Sequence, residues 1–307
     1  MPKNTKISTP VALLIFNRPD TTKKVFEEIR KAEPERLFII ADGPRQNVER
    51  DKKLCELTRE ITERIDWDCE VIKDYADVNF GLRKRFASGL SRMFEIVERA
   101  IIIEDDCVPH QSFFPFCQEL LERYRDEKKV MMISGNNFFS ELKNKEYSYY
   151  FSSFNHIWGW ATWKRAWHLY NDEMKDWNSL KDSDFLNNIL QNNKSVKYFR
   201  TIFQEVYEDK INSWAYRWLY SMFRESGLSI VPSTNLVVNV GYGKHATNTK
   251  GPGKRFAVYS TNEIVFPLIH PPNIERDEEL DKIITMNRHR FSHRDKIIRF
   301  VKKILRL

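Results

Sequence analysis

The sequence predicts an α/β fold with a mixed, mostly parallel sheet flanked by helices, and three observations lead there. Short unbroken apolar runs alternate with amphipathic stretches of helical period, the pattern of strands joined by crossover helices. The runs show no polar alternation, so both faces of each strand are expected to be covered, as in a parallel sheet. Several runs stop at acids or at Asn and Gly turns, and ligands of such sheets bind beyond the carboxyl ends of the strands.

In chain order, a polar arm leads into a first strand at residues 11–16. Asn17, Arg18, Pro19 and Asp20 then form a turn in which Asp20 is expected to cap a helix with Val25, Phe26, Ile29 and Ala32 on one face. Residues 37–40 repeat the strand pattern and end at Asp42 and Gly43. A helix marked by Leu54, Leu57, Ile61 and Ile65 follows, then a short strand at residues 69–72. Asn79, Gly81, Arg83, Lys84 and Arg85 open the next helix, whose Phe86, Leu90, Met93, Phe94 and Val97 turn inward. A glycine turn, a helix N-terminus and three cations make an anion site, because unsatisfied backbone N–H groups and positive side chains converge there. With one glycine the stretch is neither a Walker A loop nor a dinucleotide fingerprint, and a solvated helix start is the competing reading.

Residues 100–106 are the most informative stretch, four apolar residues running into Glu104, Asp105 and Asp106. Three crowded carboxylates repel one another and lose hydration, so they are stable mainly beside a cation, typically a divalent metal carrying phosphate oxygens. A solvated acidic turn is the bland alternative. A helix with Phe113, Phe114, Cys117, Leu120 and Leu121 comes next, then a strand at residues 130–133 and a turn containing Asn136. Beyond residue 145, aromatic residues crowd around Gly159, where a ligand platform competes with a plain aromatic core. Trp163 and Trp167, four apart, are expected to pack inward on a helix, with His156, Trp158 and Trp160 nearer the site. Residues 182–224 read as helical, 228–232 and 236–240 as strands, and 241–249 as a polar loop able to close over a ligand.

The 307 residues suffice for one large or two small domains. Residues 288–307 hold eight Lys and Arg against one Asp, a surplus equal to the whole net charge of +7. The body is therefore neutral and lacks the basic stripe of a nucleic-acid-binding protein. No uncharged apolar run reaches the roughly eighteen residues of a spanning helix, and the N-terminus lacks a signal-peptide core, so a cytoplasmic protein is the expectation. Cys55, Cys69, Cys107 and Cys117 form no C-x-x-C pair and read as reduced and structural.

Phe16-Asn17-Arg18 after the first strand, Asp42 after the second, Glu104-Asp105-Asp106, Trp158-Gly159-Trp160 at a helix start and the late Gly-x-Gly-x-x-Ala-Thr loop together resemble GT-A glycosyltransferases. The likeness is greatest to bacterial sugar transferases related to the Golgi N-acetylglucosaminyltransferase that starts complex N-glycans, and it spans residues 10–250. It implies a Rossmann-like domain for a nucleotide-diphosphate sugar, a divalent metal (manganese, with magnesium as the alternative) and inversion at the anomeric carbon. By position it implies Arg18 on the diphosphate, Asp42 on the base, Glu104 and Asp105 on the sugar and ribose, and Asp106 on the metal. Phe16, Asn17, Asn79, Gly81 and Lys84 would complete the donor site, and Asn136, Trp158, Gly159, Trp160 and His245 would meet the substrate. Residues 1–145 are then the nucleotide-sugar-binding half, 146–270 the acceptor-side half of the same domain, and 271–307 a linker with a basic amphipathic helix.

Two positions depart from that pattern. Inverting relatives carry an acid where this chain has Ala215, leaving Asp209 and Glu205 as candidates for the general base. They also tend to carry a histidine where this chain has Asn248, with His245 three residues away. Three readings follow: a glycosyltransferase acting on a glycan or lipid-linked saccharide, a two-metal phosphohydrolase or nuclease, and a donor-binding protein without turnover. In the tail, Ile297, Ile298, Val301, Ile304 and Leu305 share one helix face between basic residues. That pattern fits peripheral binding to an anionic membrane surface, or a helix docked on the body.

Overall fold

The computed structural model describes residues 6–140, 146–190, 192–241 and 260–285. Its first half alternates as the sequence predicts: β1 (Val11–Ile15), α1 (Pro19–Ala32), β2 (Arg36–Ala41), α2 (Glu49–Ile61), β3 (Glu70–Tyr75), α3 (Leu82–Ile96) and β4 (Arg99–Glu104). The short β5 (Cys107–Pro109), α4 (Phe113–Arg123), β6 (Val130–Ser134), β7 (Tyr149–Ser152) and β8 (Trp160–Trp163) follow. Helices α5 (Lys164–Trp167), α6 (Trp177–Leu180), α7 (Phe185–Leu190), α8 (Asn193–Tyr207) and α9 (Trp214–Arg224) lead to β9 (Leu228–Pro232) and β10 (Val237–Asn239).

Eight strands form one sheet in the order β3-β2-β1-β4-β8-β6-β9-β7, while β10 pairs antiparallel with β5. β1, β2, β3 and β4 are parallel, β6 and β9 run the same way, and β7 and β8 run against them. The fold is thus a mixed α/β sheet with a largely parallel core, flanked by helices in a Rossmann-like arrangement. From β1 the chain steps outward to β2 and β3, then returns to lay β4 on the other side of β1. That reversal opens a crevice beyond the carboxyl ends of β1 and β4. The loops leaving β2 and β6 reach the same edge, as does the approach to β8, which runs backward.

One core fills the face under α1 and α4, and a second lies under α3, α5 and α9. Trp160, Trp214 and Trp218 belong to the second core, with Phe86 stacked on Trp214 at 3.7 Å between ring centroids. A third cluster packs α8 against α9 around Phe199, Phe203 and Phe223. The aromatic richness beyond residue 145 is therefore largely packing.

Several local expectations are corrected. Asp20 lies in the first turn of α1 and does not cap it; Arg18 is the N-cap, without a side-chain cap bond, and Pro19 starts the helix. Trp163 ends a strand and bonds through Nε1 to the Leu121 carbonyl, so the Trp-Gly-Trp motif opens β8 and no helix. Residues 182–224 break into α7, α8 and α9, and residues 237–239 pair outside the main sheet.

Residues 271–285, the described part of the expected linker, lie against the body: Leu280 and Ile284 are buried, and Asp281 accepts hydrogen bonds from Ser152 Oγ (2.5 Å) and Ser153 N–H (3.0 Å). The basic tail at 288–307, and the loop carrying His245 and Asn248, fall outside the described residues. No described helix is long and apolar enough to cross a membrane.

Candidate functional site

The loops after β1 and β4 meet across the crevice. Phe16, the first residue past β1, donates its N–H to Asp105 Oδ2 at 3.1 Å. Arg18 sends NH1 to Asp106 Oδ2 at 2.6 Å and to Asp105 Oδ1 at 3.4 Å, so two carboxylates share one guanidinium nitrogen. Glu104 is the last residue of β4. Burial first, and then the neighbouring Asp106 and Asp105, push its carboxyl well above the usual range, against the pull of Arg18. Asp105 is pushed up by burial and by Asp106, with Arg18 and the Phe16 N–H opposing. Among the described residues, Arg18 is the cation that offsets the crowding of these acids.

Asp106 is also held from its far side. Asn239 Nδ2 donates to Asp106 Oδ1 at 3.0 Å, the Val240 N–H to the Asp106 carbonyl at 2.8 Å, and the Gly241 N–H to Asn239 Oδ1 at 2.8 Å. Gly241 lies so close over the carboxylate that any Cβ there would collide with it. Asn239 was missed as a site residue, although a lone amide in the apolar run of residues 236–240 is the signal that marks it.

Asp42 forms a second wall. Its Oδ1 accepts the N–H groups of Gly43 and Phe80 (both 2.9 Å), and its Oδ2 accepts Asn79 Nδ2 (2.9 Å) and the Gly81 N–H (3.0 Å). Four donors of its own chain therefore fill both oxygens and fix the turn that starts α3. Gly81 sits at φ +78°, a conformation glycine adopts without steric cost. Of the three cations expected there, Arg83 is spent on Asp172 (2.9 Å, bidentate) and Asp209 (2.5 Å), and Arg85 is buried against Asp74 and the Ala41 carbonyl. Lys84 is exposed. A buried carboxylate that sequence reasoning missed, Asp51, ties the β1 loop to the β2 loop by accepting from Asn17 Nδ2 (2.8 Å) and Arg45 Nε (2.5 Å).

On the other side of the crevice, Asn136 follows β6 and its Oδ1 accepts the Trp158 N–H at 3.0 Å. Its Nδ2 is buried and has no hydrogen-bond partner among the described residues. Trp158 is half-buried with Phe138 edge-on at 4.7 Å, and the Gly159 carbonyl accepts the Gly135 N–H at 2.7 Å. Trp160 is completely buried beside the stacked Phe86 and Trp214, with Trp167 and Trp218 also against it, and has no face left for a ligand. Asp209 is exposed, and its Oδ1 accepts from Arg83 and Arg217; Glu205 is half-buried on α8. Among the described residues, no group of three or more His, Cys, Asp or Glu side chains converges as metal ligands.

No family model and no curated protein matches the chain. Similar solved structures include a mannosyltransferase from Pyrobaculum calidifontis in complex with GDP-Man and Mn2+, at 11% identity and a TM-score of 0.38, covering 70% of this chain and 73% of that one. HddC from Yersinia pseudotuberculosis gives 7% identity and a TM-score of 0.32 over 51% of this chain and 77% of its own. The inositol-1-phosphate CTP transferase of T. maritima gives 12% and 0.32 over 53% and 74%. At such low TM-scores these likenesses carry no argument about this chain, and its fold rests on the strand order and burial described above.

Proposed function

We propose that this chain is a metal-dependent, inverting glycosyltransferase that moves a hexose or N-acetylhexosamine from a nucleoside diphosphate donor to a glycan or lipid-linked saccharide. The observation that carries the reading is the junction of Arg18, Asp105 and Asp106 beyond the β1–β4 crevice. Carboxylates converging there offer hard oxygen ligands, and Mn2+ or Mg2+ needs one or two of them when phosphates and water complete its shell. Asp106, with Asp105 beside it, would hold the ion. When bound, it offsets the negative charge that builds on the departing diphosphate.

The chain's own residues do the rest. Arg18 and Lys84 bring positive charge to the diphosphate side. Asp42 fixes the turn of Asn79, Phe80 and Gly81, so its part in base recognition is to set that turn's shape. Asn136 Nδ2 offers a donor to a sugar hydroxyl. Asp209 or Glu205 takes the acceptor proton. The alternative, a donor-binding protein without turnover, is favoured by Ala215 in place of an acid and by the two arginines on Asp209.

The test is a panel of nucleotide sugars with Mn2+, scored for release of the nucleoside diphosphate. Release is expected from one donor, with Asp209→Ala or Glu205→Ala keeping donor binding and losing most turnover. Binding without release across acceptors would leave the non-catalytic reading. The tail at 288–307 is proposed to hold the protein peripherally at an anionic membrane, each Lys or Arg near such lipid contributing about 1 kcal/mol. Flotation with anionic liposomes should be salt-sensitive and vanish on deleting residues 288–307; a deletion that unfolds the body, in a protein that ignores liposomes, would make the tail part of the core.

A further inference from the structure

We propose that Arg18 occupies the cation seat of this site when no ligand is bound, and so makes divalent-metal binding conditional on a diphosphate. The inference rests on the donor reading above. Each carboxylate has one oxygen committed to the protein: Asp105 Oδ2 takes the Phe16 N–H, and Asp106 Oδ1 takes Asn239 Nδ2. The remaining oxygens, Asp105 Oδ1 and Asp106 Oδ2, are the two that Arg18 NH1 reaches. A divalent ion needs those same oxygens. Two cations do not share one seat without strong repulsion, so the metal must displace the guanidinium.

A guanidinium displaced from both carboxylates is drawn to another anion. Arg18 is partly exposed, at 22% of its side chain, and stands at the end of a loop before Pro19, where it can turn outward. A diphosphate is the ligand whose oxygens match a guanidinium as well as a carboxylate does, in bidentate geometry. The same phosphates complete the metal's shell. Metal and diphosphate therefore favour each other through Arg18, and the coupling must be reciprocal. A nucleoside without phosphates offers Arg18 nothing and leaves the seat filled.

Free Mn2+, followed by electron paramagnetic resonance, gives the affinity of the full chain for the metal alone. Separate runs with UDP, GDP, CDP and ADP give the coupling. Mn2+ alone should bind Arg18→Ala on the order of tenfold more tightly than wild type, with Arg18→Lys near wild type. In wild type one diphosphate should raise Mn2+ affinity on the order of tenfold, and in Arg18→Ala by much less. Adding Asp106→Asn to Arg18→Ala should remove the gain. If Arg18→Ala loses its fold by circular dichroism, Arg18→Gln carries the same comparison. Equal Mn2+ affinity in wild type and in the variants without the charge, Arg18→Ala and Arg18→Gln, overturns the proposal whether or not a nucleotide binds. Tighter Mn2+ binding by Arg18→Ala with no diphosphate effect in wild type keeps the occupied seat and removes the donor reading.

Discussion

Asp51 has no exposed surface, yet it carries a charge, and its partners explain how. Hydrogen bonds from Arg45, opposed by burial and helped by Asn17, hold its carboxyl below the usual range. A carboxylate with a depressed folded pKa adds stability that is complete above its unfolded value, about 3.9, and is lost as pH falls through the folded value. Denaturant unfolding measured below about pH 4 should therefore show a steeper loss in wild type than in Asp51→Asn. Parallel curves would mean that the Asp51 contacts are not formed in solution. Asp51 was illegible beforehand because a carboxylate between Arg50 and Lys52 looks solvated until the fold brings Asn17 and Arg45 to it. Asp42 was legible as an acid at a strand end, but not as the acceptor of four local donors, since three of these come from residues 79–81, far along the chain.

Helices α3 and α9 are joined by aromatic stacking and by charge. Phe86 and Trp214 stack with Trp160 beneath, and Arg83 on α3 reaches Asp209, which also accepts from the buried Arg217 of α9. Trp214→Ala should cost about 3–5 kcal/mol, as truncation of a buried aromatic does, and urea titration reads it directly. A loss under about 1 kcal/mol would contradict the close packing of these helices. The strands β1, β2 and β4 were readable because covered strands have no polar alternation to confuse them. β8 was not, because Trp163 and Trp167, four apart, fall at helical spacing, while the insertion of β8 between β4 and β6 is a non-local event no local pattern encodes.

Sheet direction brings the candidate site together. Arg18, Asp42, Asp106, Asn136 and Trp158 come from distant stretches, yet each follows a forward strand or precedes the backward β8, so all reach one edge. The sequence made that edge visible through acids at strand ends, and hid its closing piece because Asn239 lies on a strand outside the main sheet. The reading stands or falls on whether diphosphate binding there requires a metal held by Asp106. Isothermal titration of nucleoside diphosphates into the full chain, with Mn2+ and again in EDTA, measures this. Binding should appear with Mn2+, disappear in EDTA and be abolished by Asp106→Ala; equal affinity in EDTA, or an Asp106→Ala variant that binds as wild type does, would contradict it.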